Sequence, residues 1–306
     1  MAKSFGITER KRSMKNPSLT IGTIILSFII MIAIFGPYLP FVDEDLTEHL
    51  YLKYEDGTMV TPPFSPSKEF LLGSDRKGVD LLSRLVIGTR ETLLIIFSVV
   101  IIRMLLGAFL GMGAFYSRLL KMVLQVWHQL FSYIPSILLL VMIVGIPFFL
   151  YSPNRPFWFI LVLALIEVGR VGDVIFKYVS DIAAKPYYEA GVVAGGSPFR
   201  LSQRYFYPNM KPQLITLIAN ELGRTLFLIA QLGIVGIFIS VAFENDASGA
   251  IYAVNTSDSW PLVLSTILND MWGVKIIPFS AIFLISITVL SFYLIGNGLV
   301  KKTNKK

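Results

Sequence analysis

The chain has 306 residues, of which 54% are hydrophobic and only 15% are charged. This composition, with a mean hydropathy of +0.67, excludes an ordinary soluble domain and indicates an integral membrane protein. The net charge of +7 does not indicate nucleic-acid binding, because the basic residues cluster beside apolar segments and act there as topology signals. The chain has no cysteine, so disulfides and thiol chemistry are excluded.

The chain begins with a basic tail, residues 1–17, followed by an apolar run over residues 18–38. The run is close to the length of about 20 residues that a helix needs to cross a bilayer. Because positive charge precedes it, we expect the N-terminus on the cytoplasmic side. No small-residue cleavage site follows the run, which predicts a retained first span rather than a cleaved signal.

Residues 39–90 are predicted to form an external segment, in which acidic residues outnumber basic ones. Pro62, Pro63 and Pro66 predict an extended or irregular middle part. At its end, Asp75 or Asp80 is suited to cap the helix that follows.

The second span is predicted over residues 92–115, with Gly107, Gly111 and Ala114 forming a face for close helix packing. The third is predicted over residues 123–149. Pro135 lies inside it, and a proline at such a place kinks the helix and frees a carbonyl.

Charged residues recur inside the apolar segments. The fourth span, residues 157–179, contains Glu167 and Arg170, three residues apart, and the fifth, residues 214–239, contains Glu221 and Arg224 at the same spacing. Such charges are costly in a membrane and face the bundle interior or an aqueous cavity. They therefore form structural ion pairs or line a solute path, together with the remaining intramembrane charges, Arg103 and Asp173.

A polar, basic stretch over residues 187–208 separates the fourth and fifth spans. Its proline, glycine and serine residues predict two short helices. Pro186 begins the first, and Gly195 and Gly196 end it with a positive φ. Ser197 is suited to cap the second. Pro208 is predicted to end the second helix. Because the flanking spans are apolar, we expect this loop in the cytoplasm.

The remaining chain is predicted to form an acidic external segment over residues 240–275, a sixth span over 276–299 and a basic tail over 300–306. The whole is then an all-α polytopic membrane protein with six transmembrane helices. A transmembrane domain over residues 18–299 contains a cytoplasmic loop over 180–212, and both termini are cytoplasmic.

The polar loop resembles the cytoplasmic loop of inner-membrane permeases of ABC importers. Glu189, Ala190 and Gly195 match the family pattern, and Tyr207-Pro208 stands where Leu-Pro is usual. Gly191 replaces the usual second alanine, which loosens the first helix by up to about 1 kcal/mol. The resemblance implies that the loop forms a coupling helix on an ATP-hydrolysing subunit, through the following residues: Tyr188, Glu189, Ala190, Gly191, Gly195 and Pro208.

A second resemblance, before the second span, is to the oligopeptide, dipeptide and nickel branch of these permeases. The matching residues are Gly73, Asp75, Gly78, Asp80, Ser83 and Arg84. Val79 replaces the usual arginine, and Ser259-Trp260-Pro261 stands where Ser-Trp-Gly is usual.

The resemblance implies a type I ABC importer permease that works with a second permease, two ATPase subunits and an external solute-binding protein. The implied place is the cell membrane of a prokaryote, among its lipids, with peptides as the solute and with no role for nucleic acid. The sequence leaves open whether oligopeptides, dipeptides or nickel chelates are carried.

The sequence has no GxxxxGK[ST] phosphate loop, so ATP and Mg²⁺ are expected on the partner ATPases and no cofactor on this chain. No catalytic set stands out, and no metal site is expected from His49 and His128, so the chain is not predicted to be an enzyme. Two alternatives are an ion-driven secondary transporter, whose intramembrane charges relay protons, and a transport-inactive, regulatory permease-like subunit.

Overall fold

The computed structural model of the chain is mostly helical, as the sequence predicts. It describes residues 16–53, 58–245, 249 and 251–303. Most of the N-terminal tail, the last three residues, and parts of both predicted external segments (54–57, 246–248 and 250) lie outside the described residues. The orientation predicted for the two tails therefore stays a prediction.

The described helices, in chain order, are α1 Pro17–Phe35, α2 Leu81–Tyr116, α3 Arg118–Ser132, α4 Ser136–Val144, α5 Pro147–Leu150, α6 Arg155–Ile166, α7 Val168–Ala183, α8 Pro186–Val193, α9 Pro198–Leu201, α10 Tyr207–Ile234, α11 Trp260–Val263, α12 Ile267–Asp270 and α13 Ile276–Thr303. Two antiparallel hairpins add β1 Leu52–Lys53 with β2 Met59–Val60, and β3 Val241–Asn245 with β4 Ile251–Asn255.

Four helical stretches are long and apolar enough to cross a membrane: 17–38, 81–116, 198–234 and 276–301. A fifth span results if α3 and α4, bent by 92° at their junction, are counted as one. The break lies at Pro135, where the sequence predicts a kink. The predicted fourth span is divided at Glu167 into α6 and α7, so the count of six spans stays a prediction.

Helix α2 lies at the centre of the bundle, packed against α3, α6, α7 and α10, while α13 packs between α10 and α1. The predicted small-residue face of α2 lies against α7. A Cβ atom added to Gly107 would stand 2.6 Å from Cγ1 of Val171, and one on Gly111 would overlap the backbone of Gly172. The two glycines therefore let the backbones of α2 and α7 approach closely.

One sequence prediction is wrong: Pro208 does not end a helix. It lies in the first turn of α10, and the helical path runs on from Pro198 to Ile234. A π-helical turn over Ser202–Phe206 precedes it. In this wider turn the proline ring meets less crowding from the preceding carbonyls, and a first-turn proline has no N–H bond to lose.

The predicted external segments pack onto the N-terminal end of α2. This helix begins at Leu81, earlier than the predicted span. Asp80 caps this helix by accepting from the Ser83 backbone N–H at 2.7 Å, as the sequence predicts. Trp260 is fully buried and donates its indole N–H to the Leu85 carbonyl at 2.8 Å.

Candidate translocation and coupling sites

Five charged side chains of the predicted spans meet in one group, here called the charged cluster: Arg103 of α2, Glu167 at the α6–α7 junction, Arg170 of α7, and Glu221 and Arg224 of α10. Arg103 is fully buried, and both glutamates are nearly so. An unpaired charge at such a position is very costly, but each member of the cluster has an opposite charge within 3.0 Å.

Glu221 occupies the inner part of the cluster, between two guanidinium groups. Arg103 Nη1 donates to its Oε2 at 2.9 Å, and Arg170 Nη2 donates to its Oε1 at 2.6 Å. Arg103 also donates to Thr225 Oγ1 at 3.0 Å and to the Leu163 carbonyl at 2.7 Å. These bonds tie α2, α6, α7 and α10 together.

Glu167 occupies the outer part of the cluster. Its Oε2 accepts from Arg170 Nε at 2.7 Å and from Arg224 Nε at 3.0 Å, and its Oε1 accepts from Ser136 Oγ at 2.5 Å. Ser136 is the first residue of α4, directly after the break at Pro135. Glu167 therefore links the break between α3 and α4 to the break between α6 and α7.

Two cavities open beside Glu167 and Arg224, which line both of them. One has a volume of about 330 Å³ and is also lined by His128, Phe131 and Arg170. The other, of about 570 Å³, is also lined by Phe227, Gln231 and Tyr293. The charged cluster thus forms the wall of an open, mixed polar and aromatic groove.

The structure assembles five of the six intramembrane charges that were predicted to pair or to line a path. Glu167, at the start of α7, does pair with Arg170, whereas Glu221 and Arg224 each pair with residues outside α10. Asp173 stays outside the cluster and pairs with Lys177 at 2.7 Å. The sequence reasoning missed Ser136 and Thr225; Thr225 follows Glu221 by four residues, a spacing that places both on one helix face.

The loop between α7 and α10 has the predicted two helices, α8 and α9. Gly195 has a φ of +78°, and Ser197 accepts from the Arg200 backbone N–H as the N-cap of α9. A Cβ on Gly195 would have no neighbour within 4 Å, so this glycine is required by its backbone conformation and not by lack of space.

A stack of aromatic rings holds this loop against the bundle. Tyr188 is buried and stacks on Phe206, with ring centroids 5.0 Å apart, while Phe115 of α2 meets both rings edge-on. Burial and, to a smaller extent, the hydroxyl of Tyr116 raise the pKa of Tyr188 to about 12, so its own hydroxyl stays neutral. Tyr188, placed by sequence among the coupling residues, is thus an internal anchor.

The exposed surface of the loop includes apolar side chains among its polar and basic ones. Val193 has 83% of its surface exposed and Phe199 has 72%. Four of the loop residues that were predicted to couple are also exposed: Glu189, Ala190, Gly195 and Pro208. Gly191 is buried, and a Cβ there would stand 2.6 Å from the ring of Tyr205. The departure from alanine at Gly191 therefore makes room for Tyr205. The sequence pattern missed Val193, Phe199 and Tyr205, since an apolar loop residue can be buried or exposed.

The segment that matches the branch pattern before the second span is a closely packed turn. Gly73 and Gly78 both have a φ of +80°. Asp75 accepts from the backbone N–H groups of Lys77 and Val79 and lies 2.8 Å from Nε of Arg84. Val79, where arginine is usual, is fully buried. This arrangement has the geometry of a structural junction for α2.

A family model described as "Binding-protein-dependent transport system inner membrane component" matches residues 103–306, two thirds of the chain. The chain belongs to this family. The matched part of this permease includes the charged cluster and the whole loop between α7 and α10. It is therefore a multi-pass membrane component of an importer in the cell membrane, and not an enzyme.

Relatives of the permease carry transport names. It is 24% identical over 302 residues to a "Putative peptide transport system permease protein" of Brucella abortus, covering 98% of this chain and 91% of the relative. It is 26% identical to "Dipeptide transport system permease protein DppC" of Alkalihalophilus pseudofirmus, covering 94% and 86%. The protein of the same name from Bacillus subtilis is 25% identical, covering 94% and 82%.

Among the described residues of the permease, no group of three or more histidine, cysteine, aspartate or glutamate side chains could hold a metal ion. His128 instead lies 3.2 Å from the hydroxyl of Ser132 through Nδ1, and its backbone packs against Gly169. The polar groups of the charged cluster make ion pairs and hydrogen bonds.

Proposed function

We propose that this permease carries peptides into the cell, as one of the two membrane subunits of a binding-protein-dependent ABC importer. The peptide assignment is supported by relatives named for peptide and dipeptide transport, which align over nearly the whole chain. The groove beside Glu167 and Arg224, with its mixture of charged, amide and aromatic groups, suits a solute that has charged ends and a polar backbone.

The proposed partners are a second permease, two ATPase subunits that bind ATP and Mg²⁺, and an external solute-binding protein. The loop between α7 and α10 is the proposed contact with an ATPase subunit. The observation that carries this role is the exposed apolar pair, Val193 and Phe199, on a loop whose other face is fixed by the ring stack around Tyr188. Exposed apolar groups held rigidly are suited to a protein interface.

The loop is joined to the charged cluster by helix. From Pro198 the helical path continues through α10 to Ile234 and carries Glu221 and Arg224. In the proposed cycle, closure of the ATPase dimer moves the loop, and α10 shifts Glu221 and Arg224 relative to α2 and α7. Transport then requires that the ATPases bind the two states of the bundle with different affinity.

Because the chain has no cysteine, single-cysteine variants test the docking contact directly. Phe199→Cys, coupled to a maleimide-benzophenone reagent in native membranes, is expected to cross-link to an ATPase subunit. The matched control is Trp272→Cys, which is 92% exposed in a predicted external segment and should not reach that subunit. No ATPase cross-link from Phe199→Cys, or an equal one from Trp272→Cys, contradicts the proposed docking.

Purification of the tagged permease from its native membrane, followed by mass spectrometry, tests the assembly. Recovery of a second permease, ATPases and a binding protein is expected, and peptide uptake by the reconstituted complex should require ATP. Uptake that persists without ATP hydrolysis and collapses with an uncoupler would instead support the ion-driven alternative.

A further inference from the structure

The charged cluster carries more positive than negative charge. Three guanidinium groups, those of Arg103, Arg170 and Arg224, share the two carboxylates of Glu167 and Glu221. Among the residues that line the two cavities beside the cluster, Glu167 contributes the only carboxylate. Two arginines already donate to it. The groove therefore presents an excess positive charge at membrane depth, where ion pairing is stronger than in water.

The excess charge is exposed at one residue. Arg224 is the arginine of the cluster that faces the groove most openly, with half of its side-chain surface exposed, against 29% for Arg170 and 0% for Arg103. Both cavities have Arg224 in their walls. A solute that enters either cavity can therefore meet this guanidinium group.

The guanidinium of Arg224 also has an unused edge. It approaches Glu167 through Nε, at 3.0 Å from Oε2, and through Nη2, at 3.3 Å from Oε1. A guanidinium has five N–H donors, so three remain, on Nη1 and Nη2. In the part of the chain that the structure describes, Nη1 makes no hydrogen bond. The edge formed by Nη1 and Nη2 has the fork geometry that binds a carboxylate through two parallel bonds.

We propose that the free edge of Arg224 binds the carboxylate of the solute during passage, namely the C-terminal carboxylate of a peptide. This inference rests on the proposed function as a peptide importer and adds the group that is recognised. Glu167 holds the guanidinium in place, and Ser136 holds Glu167 in turn, so the fork is oriented before the solute arrives. The cavity of about 570 Å³ that Arg224 lines is within the range of small-ligand sites.

An acidic side chain of the second permease offers the same chemistry and is the competing occupant of this edge. The solute is favoured because Arg224 lines cavities whose other walls include the polar groups His128 and Gln231 and the aromatic ring of Tyr293. Such walls can accept a peptide of a few residues. A permanent ion pair with a partner subunit would support assembly but would not distinguish one solute from another.

The test compares a small labelled peptide with its C-terminal amide, using the whole complex in proteoliposomes with its binding protein. ATP-dependent uptake is measured for both, and each rate is normalised to the affinity of the isolated binding protein for that compound. The variants are Arg224→Gln and Arg224→Lys. The matched control is Arg90→Gln, which removes the charge of an exposed arginine in the N-terminal third of α2, outside the charged cluster.

The wild type and Arg90→Gln are expected to transport the free acid about tenfold or more faster than the amide, the effect of one hydrogen bond between charged groups. Arg224→Gln should lose this preference, because its uptake of the acid falls about tenfold more than its uptake of the amide. Arg224→Lys, which keeps the charge without the fork, should retain part of the preference.

Three results would overturn the inference. In the first, Arg224→Gln lowers the uptake of both compounds equally, with reduced recovery of the second permease, which assigns the edge to a subunit contact. In the second, the preference for the acid survives in Arg224→Gln. In the third, the wild-type complex imports neither compound although the binding protein binds both. This result also contradicts the proposed peptide function. The uptake rate of the wild type distinguishes it from the first two results.

Discussion

At the scale of single residues, a charged side chain can be buried among the helices only if an opposite charge is buried next to it. Arg103 has none of its side-chain surface exposed, and its pairing depends on Glu221. Glu221 in turn also receives Arg170. The pairing joins three helices. Loss of the Glu221 carboxylate leaves the buried Arg103 without its acidic partner and leaves Arg170 with Glu167 alone.

We predict that Glu221→Gln destabilises the permease by about 3–5 kcal/mol, because it removes one partner from a buried charge pair. The thermal midpoint of the purified complex in detergent measures this. Asp173→Asn is the control: it breaks the more exposed pair with Lys177 and should cost at most about 1 kcal/mol. Equal midpoints for the two variants would show that the buried cluster does not contribute to stability as argued.

A second prediction at this scale concerns Gly195, whose φ is +78° in open space. Gly195→Asn should retain most ATP-driven uptake, because asparagine tolerates this backbone region, whereas Gly195→Val should lose most of it. Membrane yields of both variants are measured alongside, since the strain falls on the loop and not on the bundle. Equal uptake by the two variants would argue against a required left-handed turn.

At the scale of elements, close backbone approach holds α2 against α7. The crossing brings Gly111 onto the carbonyl of Gly172 and Gly107 onto Val171, and it also carries Arg103 towards α10. Helices in a membrane gain little from burial of apolar groups, so such close packing supplies much of the association.

We predict that Gly111→Val prevents stable folding, because its side chain would overlap the backbone of α7 and the main chain would have to move. The yield of monodisperse protein in gel filtration reports the effect. Gly273→Ala is the matched control, since a Cβ there meets only the Asn269 carbonyl, at 3.8 Å. Wild-type yield from Gly111→Val would contradict the close crossing.

At the scale of the whole molecule, the proposed cycle needs the loop between α7 and α10 and the outer turns around Trp260 on opposite sides of the membrane. The exposed residues Val193 and Trp272 lie in these two regions. The charge distribution of the sequence predicts that the first lies in the cytoplasm and the second outside.

We predict that a membrane-impermeant maleimide labels Trp272→Cys in intact spheroplasts and labels Val193→Cys only after lysis. The background is low because the native chain has no cysteine. Permeabilised cells, in which both variants should react, provide the control for exposure. The opposite labelling pattern would invert the topology and remove the proposed ATPase contact.

The sequence by itself determined that the chain is a helical membrane protein and where the loop between α7 and α10 turns. These features depend on local composition and on the conformations of particular residues, such as the break at Pro135 and the positive φ of Gly195. The candidate charges were also visible, because a charged residue in an apolar run stands out whatever its partners.

Only the tertiary structure decided how those residues are combined. It paired Glu221 with Arg103 and Arg170 instead of Arg224, turned Tyr188 inward, and continued the helix through Pro208 by way of a π-helical turn. The first two outcomes depend on groups distant in sequence: the backbone crossing of α2 and α7 for the charges, and the ring of Phe206 for Tyr188. Spacing along one chain gives the face of a helix, but packing between helices selects the partner.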